Sequence, residues 1–289
     1  IFDDFWNSAS VIPLAALSGA EEGALVRLRA HGDAGYRSTR AADYVARLRR
    51  SPGLPALVGG NALHWLDEVG VYSDPAAKGQ GEGKAQWLVH RLGRAMGLAK
   101  RELRVISPYF VPGEEGTRWL VGKRAQGVDV SVLTNSLAAN DVMAVHGGYA
   151  PYRVPLLEGG VTLYELMPHG RQDSSLFGSS GASLHTKAFA VDAERGFIGS
   201  FNLDPRSVNL NTEMGILFRD RAATAALLRS YEAKIAPDKS YRVRLLDGEL
   251  RWDDASVAPP RTWDREPEAS AWRRWTARAV GWLPIESQL

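Results

Sequence analysis

The sequence predicts an α/β layered domain. Apolar segments of strand length alternate with segments of helical apolar period from Gly81 to Ile235. The strand-like segments are rich in Val, Ile, Leu and Phe and are bounded by turn residues. At 289 residues, 45% apolar and 24% charged, the chain is also long enough to bury a substantial core. Strands and helices in alternation stack as layers.

In chain order, residues 1–67 read as an irregular connector, with a helix over Ala41–Arg50 that Ser51-Pro52-Gly53 stops. Over Gly81–Ala99 the residues Trp87, Leu88, Leu92, Ala95, Met96 and Ala99 recur at helical spacing, so an amphipathic helix is expected. Leu103–Phe110 reads as a strand, Gly116–Ala125 as a helix and Val128–Thr134 as a strand. Asp141–Glu158 reads mainly as a helix, with a break at Gly147-Gly148, and Val161–Leu166 as a strand. Ala188–Val191 and Phe197–Gly199 read as a hairpin around the turn Asp192–Gly196. Met214–Phe218 supplies a further strand and Ala222–Ile235 a helix, closing a domain expected over residues 68–240.

Residues 241–289 form a tail carrying five of the nine tryptophans: Trp252, Trp263, Trp272, Trp275 and Trp282. From Trp272 to Leu283, Trp272, Trp275, Ala279 and Leu283 share one helical face, and Arg273, Arg274 and Arg278 lie elsewhere around it. A Trp-and-Arg helix without acids suits an anionic membrane interface. It suits equally a helix docked on the main domain.

Bulk properties exclude some classes. A net charge of +2 is too small to argue for a nucleic-acid partner. With no cysteine there is neither a disulfide nor thiolate chemistry. No run of eighteen apolar residues is present, so no helix of this sequence spans a membrane, and a leader before Ile1 would not show.

The chemistry sits in one stretch, His185-Thr-Lys187, followed by Asp192 and by Gly199-Ser200-Phe-Asn202. Written as H-x-K-x4-D-x6-G-S-x-N, it is far longer than a chance match of a short motif. A histidine that attacks or moves a proton, a lysine charge and neutral Ser and Asn donors compose a phosphate site without a metal-ligand cluster. Residues two apart on a strand share a face, so His185 pairs with Lys187 and Ser200 with Asn202, and the four are expected to converge on one anion.

This motif resembles the catalytic signature of the phospholipase D superfamily, whose members carry it twice and build one active site from both copies. Ile106-Ser107-Pro108-Tyr109-Phe110-Val111-Pro112-Gly113, the stretch Gly147–Gly160, Asn202-Leu-Asp204-Pro-Arg206-Ser207, Asn211-Thr-Glu213 and Leu283-Pro284-Ile285-Glu286 are similar to the cardiolipin synthase branch, its bacterial C type. The resemblance implies a mixed β-sheet flanked by helices on both faces, and it covers most of the chain. One feature departs from the pattern. Of His31, His64, His90, His146, His169 and His185, only His185 is followed two residues later by lysine. The chain therefore reads as the second half of a two-copy enzyme, its site completed by a first half or by a second copy of itself.

By that resemblance His185 acts as general acid and then base, while the residues alone leave acid and nucleophile open. Lys187, Ser200 and Asn202 would hold the phosphoryl oxygens, with no cofactor and no metal. Glu213, opening a strand, is expected to bond to His185 and fix its tautomer. Asp192 belongs to the candidate catalytic set by its place in the motif, although bonds to backbone or to Arg206 are expected of it. Arg153, beside His146, Tyr149 and Tyr152, either meets a headgroup phosphate or packs at a helix end. Asn135 and Ser136 end a strand where open α/β sheets carry their sites. His31, His64, His90 and His169 show no ligand spacing.

The implied function is a phosphatidyltransferase that makes cardiolipin from phospholipid substrates through a phosphohistidine, peripherally held at a bacterial inner membrane. A phospholipase D-type hydrolase and a single-motif homodimeric phosphodiesterase or nuclease use the same residues and stay open.

Overall fold

A computed structural model describes residues 1–17, 19, 21–38, 42, 45, 46, 49, 64–168 and 184–281. Of the helix expected over Ala41–Arg50, Ala42, Val45, Ala46 and Arg49 are described and helical, while its other residues and its Ser-Pro-Gly stop lie outside the described residues, as do His169, Trp282 and Leu283–Glu286. The chain divides into two units, Phe2–Trp65 and a larger one from Leu66 onward. The smaller unit carries helices α1 (Phe2–Trp6), α2 (Leu14–Leu17) and α3 (Ala24–Tyr36), and no residue of α1 or α3 is buried.

In the larger unit the described residues form one ten-stranded sheet, in the order β1-β7-β6-β5-β2-β3-β4-β8-β9-β10. The strands are β1 (Glu68–Ser73), β2 (Glu102–Ile106), β3 (Asp129–Asn135), β4 (Thr162–Leu166), β5 (Lys187–Val191), β6 (Arg195–Gly199), β7 (Met214–Arg219), β8 (Ser240–Leu246), β9 (Glu249–Asp254) and β10 (Arg261–Trp263). β2, β3 and β4 run parallel and every other pairing is antiparallel, so the sheet is mixed. Helices α4 (Leu88–Gly97), α5 (Gly113–Ala125), α6 (Met143–Tyr149) and α7 (Arg153–Glu158) cover one face. There Leu88, Leu92, Leu120 and Leu156 pack on Val105, Val132 and Phe189. On the other face Leu227 and Tyr231 of α9 (Arg221–Ile235) pack on Ile106, Leu133 and Ala188. The alternation of Val105 with Ile106, and of Ala188 with Phe189, is what sends consecutive side chains into opposite layers.

The hairpin expected around Asp192 is present as β5–β6, with Lys187 opposite Gly199 and Val191 opposite Arg195. All of β5 is buried. Gly199 has a packing reason for being glycine: Phe197, stacked on Phe189 at 5.3 Å, lies only 2.5 Å from where a Cβ would stand.

Other elements differ from expectation. The interruption of the 141–158 helix falls at Ala150–Tyr152, where Pro151 enters, while Gly147-Gly148 remain helical. Gly147 instead admits the carbonyl of Ala277, which would lie 2.5 Å from an added Cβ. Strand β8 opens at Ser240 and bonds to β4, so the segment from 241 onward continues the sheet before forming α10 (Ala271–Gly281). Asp247 and Gly248, between β8 and β9, both have positive φ (53° and 79°), as a tight two-residue hairpin requires.

Candidate active site

The site end of the sheet is where β2 and β3 finish and β5 begins. Three loops meet there. Phe110 bridges Leu203, Val111 N donates to Leu203 O at 2.8 Å, and the Ser107 hydroxyl accepts the N–H of Leu203 at 2.9 Å. The loop after β2 is thus zipped to the loop bearing Asn202. Asn135, at the end of β3, clamps the chain just before the motif: its Oδ1 accepts Leu184 N at 2.9 Å and its Nδ2 donates to Leu184 O at 3.3 Å. His185 follows immediately, and its ring-bearing residue is exposed.

Lys187 is buried and opens β5. Its Nζ donates to the carbonyl of His185 at 3.0 Å and lies 5.9 Å from the Tyr109 ring centroid. Burial lowers its pKa, against the opposing pull of the Glu213, Asp204 and Asp141 carboxylates. The Tyr109 hydroxyl donates to Asp141 at 2.9 Å, and burial together with that carboxylate pushes the phenol up to about 12.

Asn202 is buried and its Oδ1 has no hydrogen-bond partner. A buried amide oxygen without a partner is an open acceptor for a hydroxyl of a bound substrate. The next turn is α8 (Pro205–Asn209), capped by Asp204, whose carboxylate accepts Ser207 N at 2.7 Å. Burial pushes Asp204 up to about 6 even though Ser207 holds it down.

Two expectations need correction, and a third residue, Asp192, takes the backbone bonds expected of it. Glu213 does not bond to His185: its Oε1 accepts from Ser207 Oγ at 2.9 Å, and that same hydroxyl accepts Asn202 N at 3.2 Å. The glutamate is aimed at the loop carrying Asn202 because Ser207 is buried between them. Ser200 exchanges bonds with Met214: its Oγ accepts Met214 N at 3.0 Å and donates to Met214 O at 3.2 Å. Its hydroxyl proton is therefore committed to the backbone. Asp192 stands at the opposite end of β5 from Lys187, with φ at 54°. Its carboxylate accepts the N–H groups of Lys100 (3.0 Å), Arg101 (2.8 Å) and Glu102 (3.0 Å). Burial raises its pKa, but these donors outweigh that and hold it below the usual carboxylate range. The bonds are to backbone and not to Arg206.

Arg153 also falls away from this end. It is buried, with Nη2 donating to Glu266 Oε1 at 2.6 Å and to His146 Nε2 at 2.8 Å. His146 Nε2 also lies 3.1 Å from Glu266 Oε1. Burial raises Glu266, but Arg153 and His146 outweigh it and hold the carboxylate low. This group underlies a cavity of about 370 Å³ that Trp252, Arg274 and Arg278 also line.

Two residues that the motif did not flag stand behind the site. Asp74 and Lys78 form a fully buried ion pair at 2.7 Å. Their sequence context, Ser73-Asp-Pro-Ala-Ala-Lys78, reads only as a turn.

A family model described as "Cardiolipin synthase, PLD-like domain" matches residues 92–235. Cardiolipin synthase C of Escherichia coli (strain K12) is 37% identical, over 99% of this chain and 62% of that protein. Cardiolipin synthase A of Yersinia pseudotuberculosis serotype O:1b is 30% identical, over 69% of this chain and 37% of that one. Among solved structures, Nuc, a phospholipase D family member from Salmonella typhimurium, matches 61% of this chain and 98% of its own, with 17% identity and a TM-score of 0.45. The chain thus spans about three-fifths or less of the length of these synthases.

Proposed function

The chain belongs to the phospholipase D superfamily, in its cardiolipin synthase branch, and from that premise we propose that it is one half of a phosphatidyltransferase whose site a second motif-bearing half completes. The observation that carries this reading is the buried, partly desolvated Lys187 ammonium two residues after the exposed His185, at the same end of the sheet as the loop that carries the unpartnered Asn202 Oδ1. These groups suffice to hold an anionic phosphoryl group and to move one proton. They do not supply a second histidine.

The proposed reaction runs in two steps. A histidine of the other half attacks phosphorus, the bond from phosphorus to the leaving alkoxide breaks, and His185 gives its proton to that oxygen. An acceptor alcohol then gives its proton to His185 as its oxygen attacks the phosphohistidine and releases the enzyme nitrogen. Lys187 stabilises charge on the non-bridging oxygens in both steps.

One exposed surface supports the need for a second half. Val69 (50% exposed), Val71 (54%), Met214 (48%), Ile216 (41%) and Ile198 (48%) lie on the sheet face that α9 covers farther along. Paired strands place them side by side, and the patch begins at Met214, whose backbone holds Ser200. A contiguous apolar face of this kind marks a contact surface, here assigned to the completing half. The shorter span of this chain than of its synthase relatives fits that occupant.

The test is exchange of labelled phosphatidyl groups by the chain with a motif-bearing upstream half supplied. His185→Ala should abolish exchange, and a denaturing quench at neutral to alkaline pH of the wild-type reaction should trap an acid-labile, alkali-stable phosphohistidine on the partner half. Unchanged exchange in folded His185→Ala would overturn the reading. Release of phosphatidic acid without transfer would assign a hydrolase.

A further inference from the structure

We propose that Asp74 and Lys78 are positioning residues that fix the phosphate-holding loop relative to strand β7, an inference that rests on reading the Lys187–Asn202 end as the phosphate site. Both side chains are essentially without solvent contact. The Asp74 carboxylate accepts three hydrogen bonds. Oδ2 accepts Lys78 Nζ at 2.7 Å and Glu213 N at 2.9 Å, and Oδ1 accepts Leu88 N at 2.7 Å. Asp74 N in turn donates to Glu213 O at 2.8 Å, extending the β1–β7 ladder by one residue.

Lys78 carries the other half of the clamp. Its Nζ also donates to the carbonyl of Ser207 at 2.8 Å and lies 5.1 Å from the Trp87 ring centroid. Ser207 is the residue whose hydroxyl joins Glu213 to Asn202 N. One ion pair therefore ties two points of the segment that follows Asn202: Asp74 holds Glu213 by its backbone, and Lys78 holds the turn at Ser207.

Burying two charges is costly, and a well-packed apolar pair commonly stabilises a fold as well or better. What an apolar pair does not do is hold a particular N–H and a particular carbonyl in register. The geometry here does that, for two backbone groups on the segment that follows Asn202.

Two variants of the full chain test this. Asp74→Leu/Lys78→Met removes both charges together, and Asp74→Asn keeps size while losing the charge. Each is read by thermal unfolding, by calorimetric titration with tungstate as an oxyanion probe, and by exchange kinetics with the upstream half supplied. The expected result is cooperative unfolding, at least tenfold weaker tungstate binding, and kcat at least tenfold lower with KM for vesicle lipid little changed. Wild-type tungstate affinity and kcat in either folded variant would overturn the proposal. Lys187→Ala separates the two readings: if it leaves tungstate binding and exchange unchanged, the phosphate-site reading fails first. If it abolishes both while the Asp74 variants keep them, only the positioning role fails.

Discussion

The Ser207 hydroxyl donates to Glu213 Oε1 at 2.9 Å while accepting Asn202 N at 3.2 Å. A residue outside the sequence motif thus couples the glutamate that precedes β7 to the loop that carries the asparagine. Ser207→Ala removes both bonds and leaves a buried carboxylate oxygen without its donor. A loss of about 1–3 kcal/mol in stability is expected from such an orphaned acceptor. Exchange activity of the assembled enzyme should fall about tenfold beyond what unfolding explains, since Asn202 N is released as well. Denaturant unfolding and kcat on the same preparation check it.

Asp192 takes the backbone bonds that its sequence context predicts. Its place in the motif put it among candidate catalytic residues, yet it caps three backbone N–H groups at the far end of β5. Asp192→Asn keeps the tolerance for positive φ and loses the charge-assisted bonds, so roughly 1–3 kcal/mol of stability should go. Its depressed pKa makes that contribution present above the normal carboxylate range and lost as pH falls through the folded value. Activity per folded molecule should stay near wild type, and a kcat loss at equal folded fraction would contradict the structural role.

Much of the fold was legible because its periods are clean. The core strands β2–β7, except for their exact ends, are Val-, Ile- and Phe-rich runs between turn residues, and the motif hairpin sits where its Asp-Ala-Glu-Arg-Gly turn places it. β1, β8, β9 and β10 were not read as strands. Arg242, Arg244, Arg251, Asp253 and Arg261 interleave with their apolar residues, the mark of strands with one exposed face. The Asp247-Gly248 pair was a readable hairpin signal between two of them. In the candidate site, pattern singled out His185, Lys187 and Asn202, and it named Ser207 only inside a resembling stretch, with no role. It missed Asp74 and Lys78, because contacts across 129 and 139 residues leave no trace in spacing.

Asp204 offers a pH test. Its carboxyl is raised from 3.8 to about 6, chiefly by burial, so the folded state holds its proton more tightly than the unfolded chain does. Ionisation is then destabilising: the penalty is absent below about 4, grows between about 4 and 6, and is full above 6, with a ceiling of roughly 3 kcal/mol. Asp204→Asn keeps an N-cap acceptor and removes the charge. The stability of the variant relative to wild type should therefore rise as pH goes from 4 to 7. A difference that stays flat across that range would show that burial does not set this pKa.

The uncovered face of β1, β6 and β7 makes a separate prediction. Ile216→Glu places a charge at the centre of the patch, beside Val71 and Ile198. Because Ile216 is already 41% exposed, stability should move by less than about 0.5 kcal/mol. Association with an upstream half, or self-association, should weaken at least tenfold in sedimentation experiments. Unchanged association would place the contact surface elsewhere.

The tail helix was expected either to dock on the domain or to meet a membrane, and its geometry allows both at once. α10 packs through Ala277 and Gly281 against Gly147, where an added methyl would stand 2.5 Å from the Ala277 carbonyl. Arg273 donates to Leu137 O at 2.9 Å, fastening the helix further. Trp272 (65% exposed) and Trp275 (61%) point away from this contact, stacked on each other at 5.3 Å, and the helix holds three arginines and no acid. Removing the indoles should therefore separate the two roles. Trp272→Ala/Trp275→Ala is expected to leave the melting temperature in place and to weaken binding to anionic vesicles at least tenfold, about 1.4 kcal/mol. Residual binding should decline further as salt rises, because the arginines remain. Gly147→Ala should do the converse, lowering the melting temperature by displacing the helix. If the double tryptophan variant melts earlier yet binds vesicles as tightly as before, the exposed indoles serve packing and not a lipid surface.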